Sequence, residues 1–243
     1  MTETEFDQPQ QTTPTDRSSG EPGSVWLRED GTRSRPAPLS RERIVDAAVT
    51  LLDHYGTDGL TMRRLARQLD VTPTALYWHV KTKEDVLDLA VDRIFGDVPL
   101  PEATDDWHHD VRTLTRNWRA VMHRHSWAPS LIGRPMLGPN VLARTEYLQS
   151  ALVRGGFSGL QLTVTTRLLA NYVIGTALTE ATWHRTTAPQ PQAQARRRIT
   201  ANPTAYPTLN ASGHLDAERW CDDDLFEHGL NAILATSPRR ENK

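Results

Sequence analysis

Two N-cap threonines a short distance apart constrain this chain more than any other feature. They lie in the stretch 60–83, LTMRRLARQLDVTPTALYWHVKTK. Thr61 can cap a first helix whose apolar residues Met62, Leu65, Ala66 and Leu69 recur at helical spacing. Asp70 and Val71 carry a turn. Thr72 caps a second helix, and Pro73 follows where a helix best tolerates proline. Ala75, Leu76 and Val80 can face inward. Thr74, Tyr77, Trp78 and His79 are left to point elsewhere. Two helices joined this closely form a helix-turn-helix, whose second helix fits a DNA major groove.

The local charge agrees. Arg63, Arg64, Arg67, Lys81 and Lys83 are opposed within the stretch only by Asp70, although the whole chain of 243 residues has a net charge of -2. A basic surface of this kind is what contact with phosphates needs. The same pattern also fits a plain helical hairpin with a solvated basic face.

The run Ala75-Leu76-Tyr77-Trp78-His79-Val80-Lys81-Thr82-Lys83 resembles the recognition-helix signature of the TetR family of transcriptional regulators. Upstream, Arg43-Ile44-Val45-Asp46-Ala47-Ala48, Gly56, Gly59-Leu60-Thr61 and Arg64-Leu65-Ala66 are similar to the same domain. The resemblance covers roughly residues 40–95. A weaker similarity to the tetracycline-repressor branch continues to about residue 185. It implies an all-α fold, with an N-terminal three-helix DNA-binding domain and a C-terminal helical domain for ligand binding and dimerisation. It also implies that Arg63, Pro73, Thr74 and Ala75 approach base edges, where arginine can pair bidentately with guanine. Tyr77, Trp78, His79 and Lys83 are then expected on phosphates. Each could instead be structural, Tyr77 and Trp78 as a cover for a small core and His79 as a surface residue.

Composition bounds the remainder. A hydrophobic content of 37% suits a soluble chain. No apolar run approaches the roughly 20 residues of a membrane helix. The N-terminus lacks the basic start and apolar core of an export signal. Cys221 is the single cysteine, so neither an intramolecular disulfide nor a cysteine-cluster metal site can form, which suits the cytoplasm.

Residues 1–38 read as a disordered arm, rich in Thr, Gln, Pro, Ser and Gly. Arg28, Arg33 and Arg35 in it can lie in a narrow minor groove, where arginine is attracted; a solubilising tail is the alternative. Trp26 is unusual in a free tail and could dock on the folded part. The DNA-binding domain is expected over 39–95. Ser40 caps a helix near 41–55 with the stripe Ile44, Ala47, Ala48, Leu51 and Leu52, stopped by Gly56. A fourth helix starts near Lys83. By resemblance, ligand binding swings this helix and changes the spacing of two heads. The second domain, 96–243, follows a break at 96–101. Helices are predicted near 106–125, 140–153, 159–185 and 216–235, with a long mobile loop over 186–213. Arg196, Arg197 and Arg198 in that loop read as a solvated cluster.

The helices near 159–185 and 216–235 carry more apolar surface than one layer buries. By resemblance they form a four-helix interface in a homodimer, as specific reading of a two-fold operator requires. Aromatic and polar residues mix along the second domain: Trp118, His125, Trp127, Arg134, Tyr147, Asn171, Thr179 and Trp183. An apolar cavity with a few polar groups is the usual small-molecule site, and Trp118 aligns with a pocket aromatic of the tetracycline-repressor branch. The magnesium ligands of that branch are absent, with Ser130 and Thr179 in the matching positions, Glu180 adjacent, and no histidine near Pro99. A metal-free, cofactor-free site for another hydrophobic compound is the expectation.

An enzyme is not expected. No nucleotide loop, nucleophile elbow or metal-spaced pair is present. His108 and His109 diverge by about 100° on a helix, as neighbours must. The sequence therefore reads as a ligand-responsive regulator, most simply a repressor released by a small hydrophobic molecule. An activator, a ligand-insensitive regulator or a small-molecule-binding module are the alternatives.

Overall fold

The computed structural model describes residues 38–131, 136–185, 190–216 and 218–235, and all regular structure among them is helical. The arm with Trp26, Arg28, Arg33 and Arg35 lies outside the described residues, as does Arg134.

Local capping starts the first four helices. α1, Arg41–Gly59, begins with the Ser40 hydroxyl accepting from the Arg43 amide at 3.3 Å. Gly56, at φ +66°, breaks it as the sequence predicts, because only glycine adopts that conformation freely; one more turn then runs to Gly59. α2, Met62–Gln68, is capped by Thr61, and α3, Pro73–Tyr77, by Thr72. Between them Asp70 takes a left-handed φ of 55°, which an aspartate tolerates better than most residues. α4, Lys83–Gly96, opens with a reciprocal pair: Asp85 N donates to Thr82 Oγ1, and Thr82 N donates to Asp85 Oδ2. Ile44, Leu65, Leu76, Val86 and Ile94 are completely buried between these helices.

The second half stacks longer helices: α5, Trp107–Arg124; α6, Pro139–Arg154; and α7, Gly159–Arg185. A short 3₁₀ turn, Ala128–Leu131, follows α5. α5 packs against both α6 and α7, and α10, Asp222–Leu234, packs on α7. One apolar core runs from Ile44 in α1 to Leu234 in α10, and 39–243 forms a single compact unit.

Two expectations need correction. In place of a long loop over 186–213, the described residues hold α8, Gln190–Ala201, and α9, Pro207–Ser212. The prolines mislead because Pro191 and Pro207 sit in first turns, where the missing N–H costs nothing. The run Ala193–Ile199 between them is dominated by strong helix formers. Arg196 in it is paired with Asp216 at 3.0 Å. The last helix also starts later than predicted, at Asp222. Cys221 Sγ accepts from Asp224 N there, and three aspartates meet the positive end of the helix.

Asp110 is fully buried in α5 and accepts from Thr104 N, Thr104 Oγ1 and Arg154. Burial pushes its carboxyl upward, yet these hydrogen bonds hold it below the usual aspartate range. Asp110→Ala would strand three donors and is expected to cost about 3 kcal/mol in denaturant unfolding. A depressed folded value means that the charged form stabilises above the unfolded value of about 3.9 and ceases to do so as pH falls through the folded value. The difference between wild type and Asp110→Asn should therefore shrink on acidification below pH about 4.

Candidate nucleic-acid interface and ligand region

The turn between α2 and α3 sorts its side chains cleanly. Leu65, Ala66, Leu76 and Val80 are buried, whereas Arg63, Arg67, Pro73, Thr74, Tyr77 and Trp78 are exposed. Tyr77 is 50% and Trp78 86% exposed. Large aromatics bare to this degree cover no core, and bare apolar surface of this kind usually marks an interaction site. Ala75 and His79 are half-buried. Two cations of the stretch have intramolecular partners. Arg64 Nη1 donates to the Gly59 carbonyl at 2.9 Å, with its guanidinium 4.5 Å from the Tyr55 ring. Lys83 Nζ donates to the Thr57 carbonyl at 2.9 Å, tying the start of α4 to the end of α1. Arg63, Arg67 and Lys81 remain exposed. Asp85 sits behind them with its carboxyl lowered by the Lys81 and Thr82 amides.

α4 is locked to the second half by exchanged caps. Gly138, the residue before α6, has no side chain to cap it. Asp92 of α4 does so from 48 residues away: Oδ1 accepts from Asn140 N at 3.0 Å and Val141 N at 3.1 Å, and Oδ2 accepts from Asn140 Nδ2. A Cβ at Gly138 would stand 2.1 Å from Asp92 Oδ1, so the carboxylate approaches this closely only because glycine is there. In return Arg144 of α6 donates to the Gly96 and Val98 carbonyls at the end of α4, both at 2.8 Å. Beside this joint, a cavity of about 260 Å³ is lined by Leu89, Asp92, Leu131, Met136 and Val141. Arg93 on α4 also bridges Asp46 of α1 and Asp97.

The residues predicted for ligand binding fall into three groups. Trp118, 7% exposed, packs edge-on against Phe95 at 5.3 Å, and its Nε1 is buried without a partner among the described residues. Tyr147 likewise has a buried, unpartnered hydroxyl, which burial pushes above the ordinary tyrosine range. His125 and Trp127 are buried and both bond Asp53 of α1 at 2.7 Å. Asn171, Thr179 and Trp183 lie on exposed faces of α7, with Thr179 Oγ1 bonded back to the Gly175 carbonyl.

Glu180, passed over by the sequence reading in favour of its neighbour, is the buried residue of that pair at 4% exposure. It accepts from Arg119 at 2.7 and 3.2 Å and meets His123 Nε2 at 2.5 Å. Arg119 continues to Asp223 of α10 and lies 4.6 Å from the Phe226 ring centroid. Helical period alone could have found Glu180, since Val173, Ala177 and Glu180 share one side. Among the described residues no group of three or more His, Cys, Asp or Glu is placed to hold a metal ion. No described helix is long and apolar enough to cross a membrane.

Two family models match the chain: "Bacterial regulatory proteins, tetR family" over residues 44–90, and "Tetracyclin repressor-like, C-terminal domain" over 99–236. The chain belongs to the TetR family of transcriptional regulators, with a helix-turn-helix for DNA binding and a tetracycline-repressor-like C-terminal domain. It is 39% identical over 224 residues to an HTH-type transcriptional regulator of Saccharopolyspora erythraea, covering 91% of this chain and 94% of that one. Among solved structures it is similar to the TetR family protein ActR of Streptomyces coelicolor in complex with actinorhodin. The TM-score there is 0.75 at 31% identity, over 82% of this chain and 96% of that one. It is also similar to BioQ bound to its double-stranded DNA operator, with a TM-score of 0.53 at 31% identity, over 60% and 89% of the two chains.

The crossed cap makes a measurable claim. Asp92→Ala leaves two amides of α6 uncapped and is expected to lower unfolding free energy by about 2 kcal/mol in urea titrations.

Proposed function

We propose that this regulator is a repressor that binds a palindromic operator as a homodimer and is released by a small hydrophobic molecule. The observation that carries the DNA half is the bare Tyr77–Trp78 pair beside Arg63, Pro73 and Thr74, held on a turn anchored by fully buried Leu76. In this reading residues 39–95 act as the head and 96–243 as the ligand and dimer domain. Arg63, Pro73, Thr74 and Ala75 meet base edges. Tyr77, Trp78 and His79 position the head on phosphates, and exposed Lys81 joins them. Lys83, bonded to Thr57, positions α4 as well as any phosphate. Arg28, Arg33 and Arg35 of the arm enter the adjoining minor groove.

Two-fold DNA sites call for two heads, and α7 offers a surface for the second copy. Leu160, Val164, Leu168 and Leu178 are exposed along it, and Leu225 is exposed on α10, which packs against α7. The ligand half rests on Trp118 and Tyr147, whose buried polar atoms lack partners among the described residues. The likeness to ActR, solved in complex with actinorhodin, supports a small-molecule ligand.

The test is fluorescence anisotropy with the intergenic DNA beside the gene. Tight, salt-sensitive binding that resists competitor DNA is expected, weakened about tenfold or more by Tyr77→Ala. Binding no tighter than to random DNA would remove the operator reading for that site. Deletion of residues 1–38 should lower affinity several-fold, and equal affinity would return the arm to a solubilising tail. Leu168→Glu should give a monomer in sedimentation and weaken operator binding by about a hundredfold, through loss of the second head. A variant that stays dimeric would move the interface off α7.

A further inference from the structure

Four basic residues share one face of α5. Arg112, Arg116, Arg119 and His123 follow one another at steps of four, three and four residues. Against them stand Glu180 of α7 and Asp223 and Glu227 of α10. An open cavity of about 450 Å³ lies among these side chains, lined by Arg116, Arg119, Ala120, His123, Phe226 and the two α10 carboxylates. Trp118 does not line it. That side chain leaves α5 about 100° away from Arg119 and packs on Phe95.

The two arginines of the cavity are held in place but not used up. Arg119 spends Nε and Nη2 on Glu180 at 3.2 and 2.7 Å, and its guanidinium lies 4.6 Å from the Phe226 ring centroid. Its Nη1 donates to Asp223 at 2.6 Å. The Arg119 side chain is 13% exposed and that of Asp223 84%, and an ion pair to so exposed a partner contributes little. Arg116 spends Nε and Nη2 on Glu227, so Nη1 has no partner among the described residues. With Asp223 turned out to water, Arg112, Arg116 and Arg119 face only Glu180 and Glu227. One positive charge is then unmatched.

We propose that this cavity binds a small monocarboxylic acid, whose carboxylate takes the place of Asp223 on Arg119 and accepts from Arg116 Nη1 as well. Guanidinium donors fixed in a plane suit the two oxygens of a carboxylate. The apolar part of the acid lies along Ala120 and the edge of Phe226. A single negative charge restores the balance, whereas a phosphate dianion brings one too many. A neutral amide of the same shape leaves Arg119 with Asp223.

Calorimetric titration of the full-length protein with benzoate, at low ionic strength, tests this. Benzoate should bind at least about tenfold more tightly than benzamide or inorganic phosphate. Asp223 and Ala120 are both exposed, so substitutions there leave the fold intact. Asp223→Asn, which removes the competing charge, should tighten benzoate about threefold or more, an effect that a merely structural pair would not give. Ala120→Trp, which fills the cavity, should abolish binding. Absence of benzoate binding overturns the site, as does an affinity unchanged in both variants. Equal affinity for benzoate and benzamide, or tighter binding of phosphate, overturns the monocarboxylate class.

Discussion

The exchange of caps between α4 and α6 is the interaction on which the architecture turns. A helix N-terminus carries amides with no intrahelical partner and a partial positive charge. α6 begins at Pro139 after a glycine and has no cap of its own. Asp92 supplies one from α4, and Arg144 answers the carbonyls at the end of α4. Neither helix ends satisfactorily without the other. A helix that starts beside the reading turn is thereby fixed to the bundle that holds Trp118 and Tyr147. Movement of either half must strain or break charge-assisted hydrogen bonds, which are stronger than neutral ones.

The head combines a rigid underside with an unprotected face. Thr61, Thr72 and Thr82 each cap the helix that follows, and Leu65, Leu76 and Val86 lie wholly buried beneath. α3 is only five residues long, far too short to persist alone, so packing through Leu76 holds it. With the backbone so fixed, Tyr77 and Trp78 are presented to solvent. Such exposure has no folding benefit, and bare apolar surface of this kind marks an interaction site.

Buried charge is handled by pairing throughout the second half. Glu180 is met by Arg119 and His123, and Asp110 by Thr104 and Arg154. Glu227 of α10 is clasped by Arg116 at 2.6 and 2.7 Å, which holds its carboxyl below the usual range. These pairs join α5 to α6, α7 and α10. They set register where apolar contact alone would allow sliding, and a lone partner left behind would be costly. Among the described residues Trp118 Nε1, Tyr147 Oη and His125 Nε2 alone are buried side-chain atoms without a partner.

The sequence by itself determined what is local. Capping threonines, the Gly56 break and the apolar stripes of α1, α4 and α5 were legible because each depends on residues within a turn or two. So was the exposed character of Thr74, Tyr77 and Trp78, since Leu76 and Val80 claim the inward positions. Tertiary structure decided which polar groups find partners. Asp92 with Asn140, Asp53 with His125, and Arg119 with Glu180 lie 48, 72 and 61 residues apart, and no local spacing encodes such pairs. For the same reason the bonds by which Lys83 and Trp127 hold α1, to Thr57 and Asp53, have no signal in the sequence. The helices α8 and α9 were missed for a local reason, because a proline count cannot tell a first-turn proline from a helix breaker. Only the position of the helix start separates the two.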